Sequence, residues 1–446
     1  MYNRKSLPLL AKALDKLSEG FSALPAFNQD IHENLESVLL EAAEKMQDNF
    51  PYFHPLYAGQ MLKPPHEIAR LAYMMAMWIN PNNHALDGGR ASSEMEKEAV
   101  SEIASMFGWK KHLGHLASSG TFANLEAIWV AGNIHPKKKI AASELAHYTH
   151  ERISAVLGLG FKKISSDVNG EMDLKKLETE LKKGKIGTVV VTMGTTGIGS
   201  VDPLPGILKL QKKYSFRIHL DAAYGGYFRL AENLPELTSA KYALMQKADS
   251  IVVDPHKHGL QPYGCGCILF RNPEVGRYYK HDSPYTYFSS KKMHLGEISL
   301  ECSRAGASAV GLWATQKLLP LVPGGEFSKM INSSHLAAEK LYHYIESDER
   351  FISLKYPEID IVIWGVRGKS VREISKMSKK IFDRAADKNL HLAMLNYPVK
   401  RLPGHWQSVK KDEESVTLLR SCLMKPDHVE WVDRIWTIIT ECLNFQ

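Results

Sequence analysis

The sequence has 446 residues, of which 44% are hydrophobic and 24% charged, and it carries a formal net charge of +7. These values are typical of a globular chain with room for two domains of about 100–200 residues. The lysine runs at 137–139 and 182–185 are short and contain no aromatic residues, so nothing favours nucleic-acid binding.

The cysteines and the apolar segments predict a reducing compartment and no membrane partner. The cysteine count is odd, and no apolar signal core precedes the first helix-like segment, so we expect a cytoplasmic protein. Cys265 and Cys267 have no second Cys/His pair at finger-like spacing, so we expect no metal site. The most apolar stretch, 69–79, is too short to span a bilayer and predicts a buried helix.

The first sixty residues predict a helical N-terminal arm. Leucines at 7, 10, 14 and 17 form one stripe at helical spacing, and leucines at 35, 39 and 40 begin another. From about residue 60 the pattern alternates between helical segments and short β-branched runs, so we place the end of the arm at residue 60.

Residues 61–320 predict a large domain built on a mostly parallel sheet. The runs 188–192, 216–220 and 250–253 are nearly continuously apolar, as strands buried on both faces are. A helical segment at about 204–214 separates two of them, which is typical of βαβ units.

Residues 321–446 predict a smaller α+β domain. Helical spacing at 307–318 closes the large domain and returns at 334–346, and the runs 359–363 and 416–419 are candidate strands. The predicted fold class is therefore α/β, with a large mixed, mostly parallel sheet domain and a small C-terminal domain.

Asp221 and Lys257 carry the strongest chemical signal. Each follows an apolar run, and ligands of open parallel sheets bind at the carboxyl ends of the strands. Taken alone, Asp221 is an ordinary helix cap and Lys257 an ordinary loop lysine. Together, with the small Ala223 nearby, they predict a pyridoxal-phosphate site. The lysine amine forms a Schiff base with the cofactor aldehyde, and the carboxylate pairs with the pyridine nitrogen.

Two further segments could complete such a site. Ser119, Gly120 and Thr121 precede a helix-like run and offer hydroxyl and N–H donors to a phosphate, although an ordinary N-capping turn explains them equally well. His147 could cover the cofactor ring, or it could be a structural histidine. The glycines at 157–160 and 194–199 lack the GxGxxG pattern and its strand-to-helix context, so we exclude a dinucleotide site.

Five segments in this order, SSGTFANL, SELAHYTH, TMGTTGIGSVDPL, HLDAAYGG and DPHK, resemble the group II pyridoxal-phosphate-dependent amino acid decarboxylases. That family includes aromatic amino acid, glutamate and archaeal tyrosine decarboxylases. The resemblance covers roughly residues 50–320, and the C-terminal part more weakly. It implies the fold-type I architecture of aspartate aminotransferase. It also implies decarboxylation of an L-amino acid to the amine and carbon dioxide.

The resemblance also implies roles for individual residues. Lys257 is the Schiff-base lysine and Asp221 the partner of the pyridine nitrogen, while Ala223 packs on one face of the ring and His147 stacks on the other. The resemblance further implies that the cofactor phosphate is held by Ser119, Gly120, Thr121 and His256. It implies that Thr196 lines the pocket near the ring. Homologous decarboxylases are dimers with sites near the subunit interface, so the N-terminal arm is expected to contact a second copy.

One departure leaves the reaction open. Many family members carry a tyrosine in the middle of a mobile loop that protonates the product carbanion, whereas the corresponding segment here is short. Tyr287 and His294 are the candidate acids. A carbon–carbon lyase, a decarboxylating aldehyde synthase and a catalytically silent binding homologue therefore stay as alternatives.

The substrate side chain is less determined than the cofactor. By family analogy Tyr57, Gln60 and His84 lie near it, although the segment 82–84 is equally a plain polar turn. Tyr57 and His84 suit an aromatic substrate. Arg304 could instead hold a carboxylate bidentately, or be structural. We favour an aromatic substrate over an acidic one.

Overall fold

The computed structural model describes residues 4–25, 30–280 and 294–443. Its helices are α1 (Leu7–Glu19), α2 (Leu35–Lys45), α3 (Glu67–Met77), α4 (Leu86–Met106), α5 (Gly120–Ile134), α6 (Thr149–Val156), α7 (Leu174–Leu181), α8 (Leu204–Tyr214), α9 (Glu236–Tyr242), α10 (Gly306–Leu318), α11 (Glu326–Ser347), α12 (Val371–Asp387) and α13 (His428–Glu441). Its strands are β1 (Leu113–Ala117), β2 (Lys139–Ser143), β3 (Phe161–Ile164), β4 (Ile186–Thr192), β5 (Arg217–Asp221), β6 (Ser250–Val253), β7 (Gly266–Phe270), β8 (Phe351–Ser353), β9 (Ile361–Val366), β10 (Ala393–Pro398) and β11 (Ser415–Cys422).

The larger sheet has seven strands in the order β1-β7-β6-β5-β4-β2-β3. Strands β2 to β6 run parallel, whereas β7 is antiparallel to both β6 and β1. The three predicted strands in this region are confirmed as β4, β5 and β6. Every residue of β4 and β6 is buried, which explains why their sequences are apolar without alternation.

The smaller sheet has four antiparallel strands in the order β10-β11-β9-β8. Helices α11, α12 and α13 pack around it, and Trp364 of β9 is fully buried in its core. The predicted runs at 359–363 and 416–419 form parts of β9 and β11. The fold class is confirmed, while the predicted domain boundaries at residues 60 and 320 stay predictions.

Residues just before position 60 pack on the smaller sheet. The amide of Ala58 donates to the carbonyl of His391 at 2.9 Å, and the amide of Cys422 donates to the carbonyl of Ala58 at 2.7 Å. This connection holds the end of the predicted N-terminal arm against β11.

The helices of the N-terminal region leave apolar surface uncovered. In α3 the small Ala69, Ala72 and Ala76 are buried, but Met77 and the following Trp78 are 57% and 65% exposed. The stretch 69–79 was predicted to be a buried helix, and only one of its faces is buried. No helix in the described ranges is long and apolar enough to cross a bilayer.

Candidate active site

The central strands of the larger sheet bring polar side chains together at their carboxyl ends. Thr192 at the end of β4 is in register with Asp221 at the end of β5, and Asp254 directly follows β6. An open cavity of about 630 Å³ lies at this edge of the sheet. All nine residues predicted to hold the cofactor line it: Ser119, Gly120, Thr121, His147, Thr196, Asp221, Ala223, His256 and Lys257.

Asp221 is paired with a histidine that the sequence-based prediction did not include. His150, in α6, is fully buried, and its Nε2 lies 2.7 Å from Oδ2 of Asp221. A carboxylate oxygen can only accept, so Nε2 carries the proton. Burial opposes ionisation of Asp221, but the hydrogen bond and charge of His150, followed by the charge of Lys257, hold the pKa of this carboxyl well below its usual range. Asp221 is therefore ionised at neutral pH at the wall of the cavity.

His147 is half-buried at the cavity wall. Its Nδ1 accepts the amide of Thr149 at 3.3 Å, which leaves Nε2 as the protonated nitrogen. Burial lowers the pKa of the imidazole, so the ring is neutral at neutral pH. A neutral, flat ring beside the small Ala223 suits packing against another flat ring.

The start of α5 is a capped helix end that also borders the cavity. The Ser119 hydroxyl accepts the amide of Phe122 at 3.2 Å and thereby caps the helix. Gly120 and Thr121 border the cavity at the same helix end, where N–H groups and the helix dipole favour an anion.

Lys257 points its amine toward a second carboxylate. Its Nζ lies 3.1 Å from Oδ2 of Asp254, which is only 2% exposed. His256, between the two in sequence, donates from Nδ1 to the carbonyl of Cys265 at 2.6 Å. Burial lowers the pKa of His256. The Lys257 side chain is thus held within the cavity by its contact with a buried carboxylate.

The cavity fits pyridoxal phosphate by the chemistry of its lining. Two buried atoms on its wall, Oγ1 of Thr192 and Oδ1 of Asp254, have no hydrogen-bond partner among the described residues and call for a polar ligand. An amine, a permanent carboxylate and a helix N-terminus match the aldehyde, ring nitrogen and phosphate of that cofactor. These features define a pyridoxal-phosphate-dependent enzyme.

Comparison with known proteins agrees with that class. Residues 13–366 match the model of the pyridoxal-dependent decarboxylase conserved domain. The chain is 25% identical to an L-tyrosine decarboxylase of Enterococcus faecium, with 95% of this chain and 90% of the relative covered. It is 30% identical to an L-aspartate decarboxylase of Thermococcus kodakarensis, covering 64% of this chain and 73% of the relative. A crystal structure of Oryza sativa TDC with PLP and tryptamine has the same fold, with a TM-score of 0.79, 16% identity and 99% of both chains covered.

The chain belongs to the pyridoxal-dependent decarboxylase family. It is a carboxy-lyase of amino acid metabolism whose cofactor is pyridoxal phosphate. The family resemblance noted from the five sequence segments is confirmed.

The structure places most of the predicted substrate residues away from the cavity. Tyr57 is buried against Tyr52, and the Nζ of Lys425 donates to its carbonyl at 2.6 Å. His84 and His294 lie close together at the start of α4, where Nδ1 of His294 accepts the amide of Leu86 at 3.1 Å. None of these three borders the cavity, and Tyr287 lies outside the described residues.

Arg304 has a structural partner rather than an open binding position. Its Nη1 donates to Glu96 at 2.8 Å, and Asn83 donates to the other oxygen of the same carboxylate at 2.6 Å. A guanidinium already paired with a buried carboxylate has little capacity for a second one. This arrangement favours the structural interpretation of Arg304 over the carboxylate-binding one.

Gln60 contacts an arginine, Arg420, that the sequence-based prediction did not include. Its Oε1 accepts from Nη2 of Arg420, in β11, at 3.0 Å. Arg420 is 7% exposed, and its Nε has no hydrogen-bond partner within the described part of the chain. Among the described residues no carboxylate lies within ion-pair distance of it. No local motif marks Arg420, whereas His150 could have been noticed as the second histidine of SELAHYTH.

We expect His150→Ala to weaken cofactor binding at least about tenfold at pH 7, since a hydrogen bond to a charged group contributes about 1.5–3 kcal/mol. Without His150 the pKa of Asp221 rises, so its carboxylate is protonated at a higher pH and the loss deepens as pH falls. Absorbance titration with pyridoxal phosphate between pH 5.5 and 8 measures this. The exposed His343→Ala is the control, and equal affinities for the two variants would refute the role of His150.

Proposed function

We propose that the chain removes the α-carboxylate of an aromatic L-amino acid as carbon dioxide and releases the amine. The observation that carries this proposal is the shared cavity of Lys257, the ionised Asp221 and the N-terminus of α5. The L-tyrosine decarboxylase matched over 95% of the chain supports the aromatic class, and the L-aspartate decarboxylase is the reason to test acidic substrates as well.

The charges around the cavity also favour a neutral substrate side chain. Among the described residues that line the cavity, Lys257 is the one lysine, and none is an arginine. Lys257 is required for the cofactor, and we assign Arg420 to the α-carboxylate that every amino acid carries. A second carboxylate, on the substrate side chain, would therefore have no cation among the described residues that line the cavity. An aromatic side chain needs no such partner.

Each protein group has a separable task in this proposal. Bound pyridoxal phosphate supplies the electron sink for the bond that breaks at the α-carbon. The amine of Lys257 would hold the cofactor at its aldehyde, and the start of α5 with its two hydroxyls would hold the phosphate. Asp221, kept ionised by His150, stabilises positive charge on the ring nitrogen with a carboxylate that is already in place. His147 packs against the ring.

Arg420 is the group that we propose binds the substrate carboxylate. It is buried and has no acidic partner among the described residues, and leaving such a charge unpaired is costly. Its charge acts on the phenol of Tyr224, which lines the cavity. A planar guanidinium with an unpartnered Nε can donate two parallel hydrogen bonds to a carboxylate.

We expect Lys257→Ala to lower the rate of carbon dioxide release by roughly three orders of magnitude or more. Losses of this size are typical when a residue that acts through a covalent bond is removed. The exposed Lys213→Ala is the control. Purified enzyme loaded with pyridoxal phosphate is incubated with each L-amino acid, and carbon dioxide, amine, aldehyde and ammonia are measured. Amine plus carbon dioxide from an aromatic amino acid is the predicted result. Release from aspartate or glutamate alone would refute the aromatic class, and aldehyde with ammonia would indicate an aldehyde synthase.

For Arg420→Gln we expect KM to rise about 10–100-fold, the range for one lost charge-assisted interaction. Cofactor affinity should stay within about twofold, because Arg420 is not at the cofactor cavity wall. Arg420→Lys keeps the positive charge but loses the planar pair of N–H donors. Its KM should therefore lie between those of the wild type and Arg420→Gln. The exposed Arg372→Gln serves as control. An unchanged KM with weaker cofactor binding would contradict the proposed role.

We also propose that the protein is a cytoplasmic homodimer. The described cysteines are free thiols, as expected in a reducing compartment. The uncovered apolar side chains of the N-terminal region, among them Leu35 and Leu39 of α2 and Trp78 after α3, form the kind of surface that a second copy covers.

Sedimentation equilibrium should give twice the mass of one chain for the wild-type protein. Trp78→Glu combined with Leu39→Glu should shift the population toward the monomer, because each introduces a charge into an apolar interface. Leu237→Glu, at a position that is 79% exposed on α9, is the matched control. A wild-type monomer at micromolar concentration would refute the homodimer.

A further inference from the structure

Asp254 has an unusual position for a buried carboxylate. It directly follows β6 and is 2% exposed, and its Oδ2 lies 3.1 Å from the Nζ of Lys257. Its other oxygen, Oδ1, is buried and has no hydrogen-bond partner among the described residues. One oxygen of the carboxylate therefore has a cationic partner, whereas the other has no partner among the described residues.

The same carboxylate lies against the first residue of α5. A Cβ built on Gly120 would stand 2.5 Å from Oδ1 of Asp254, so only glycine leaves room for it. Gly120 begins the helix whose N–H groups and flanking hydroxyls we assign to the cofactor phosphate. If that proposed function holds, two anions meet at one helix end, and the helix dipole cannot fully neutralise both.

His256 does not relieve this conflict. Its Nδ1 donates to the carbonyl of Cys265, so in the neutral ring the bare Nε2 faces Oδ2 of Asp254 at 3.5 Å. A lone pair facing a carboxylate is unfavourable unless a proton lies between them. The local geometry is therefore that of a proton-binding site.

Few other charges act on Asp254. The titratable groups facing it within the described residues come from its own segment, from the turn before α6 and from the core, namely Lys257, His256, His147, Tyr227, Tyr263, Cys265 and Cys267. Burial raises the pKa of both tyrosines and both thiols and lowers the pKa of both imidazoles. Near pH 8 all six are neutral, which leaves Lys257 as the cation of this set.

We propose that Asp254 takes up a proton when a phosphate group occupies the start of α5, so that cofactor loading is coupled to proton uptake. One ammonium group can balance one carboxylate, but not a carboxylate and a phosphate dianion together. The protonated carboxyl has an O–H that can donate to the phosphate or to Nε2 of His256. Because binding then consumes a proton, phosphate affinity falls as pH rises. Asp254 is a positioning residue for the cofactor in this proposal.

Inorganic phosphate is the cleanest probe, because it forms no covalent bond to Lys257 and is mainly a dianion at pH 8. Calorimetric titration of the cofactor-free protein in two buffers of different ionisation heat counts the protons taken up. We expect wild type to take up about one proton and its Kd to rise about tenfold per pH unit above pH 8. Asp254→Asn should take up none, show a flat profile, and bind phosphate more tightly than wild type at pH 9. The exposed Asp433→Asn should behave as wild type.

Each other outcome has a definite meaning. Equal proton uptake by wild type and Asp254→Asn would overturn the proposal, and loss of uptake in His256→Gln but not in Asp254→Asn would assign the proton to the histidine instead. If Asp254→Asn does not fold, zero uptake by wild type still overturns it. A wild-type protein that binds neither phosphate nor pyridoxal phosphate would overturn the proposed function as well. Binding without proton uptake would overturn this inference alone.

Discussion

A carboxylate buried in the middle of a sheet has to stay ionised, and the pair of Asp221 with His150 meets that constraint. Asp221 is 6% exposed, and burial alone would favour its neutral form. The imidazole at 2.7 Å reverses this preference. The pair forms because β5 is the middle strand of the seven-stranded sheet and α6 brings His150 next to the carboxylate at the end of that strand. Without this anion the cavity would lack the group that makes a bound pyridine ring an electron sink.

The smaller sheet is tied to the same cavity through a second buried carboxylate. Asp360, just before β9, accepts the hydroxyl of Tyr224 at 2.9 Å and lies 3.1 Å from Nε2 of His258. Tyr224 follows Asp221 by three positions, and His258 directly follows Lys257. One side chain of the smaller sheet thus contacts the loops that carry both the anion and the amine. The segment before residue 60 adds a connection through Gln60 to Arg420. The cavity wall and the smaller sheet are therefore parts of one packed structure.

The sequence was sufficient to predict the parallel strands and the residues that line the cavity, because both leave local signals. Strands buried on both faces are continuously apolar, and a ligand-binding residue such as Lys257 follows them at once. The residues proposed to contact the substrate leave no such signal. Arg304 and Arg420 are indistinguishable in sequence, and only the fold shows that Glu96 pairs with the first while the second lacks an acidic partner among the described residues. Tyr57 and His84 do not border the cavity, and the sequence did not show this because their neighbours come from distant segments. The stretch 69–79 was predicted to be a buried helix, but one face of α3 is exposed. The sequence could not show this, because an apolar stretch packs equally well on its own chain or on a second one.

The central claim is that the amine of Lys257 holds pyridoxal phosphate in the cavity of Asp221. Borohydride reduction of the loaded enzyme makes that bond permanent, and mass spectrometry of the digested protein locates it. The predicted result is one cofactor-derived mass per chain, on the peptide that contains Lys257. Its appearance on a different lysine, or on none in a protein that binds the cofactor, would contradict the assignment of the active site.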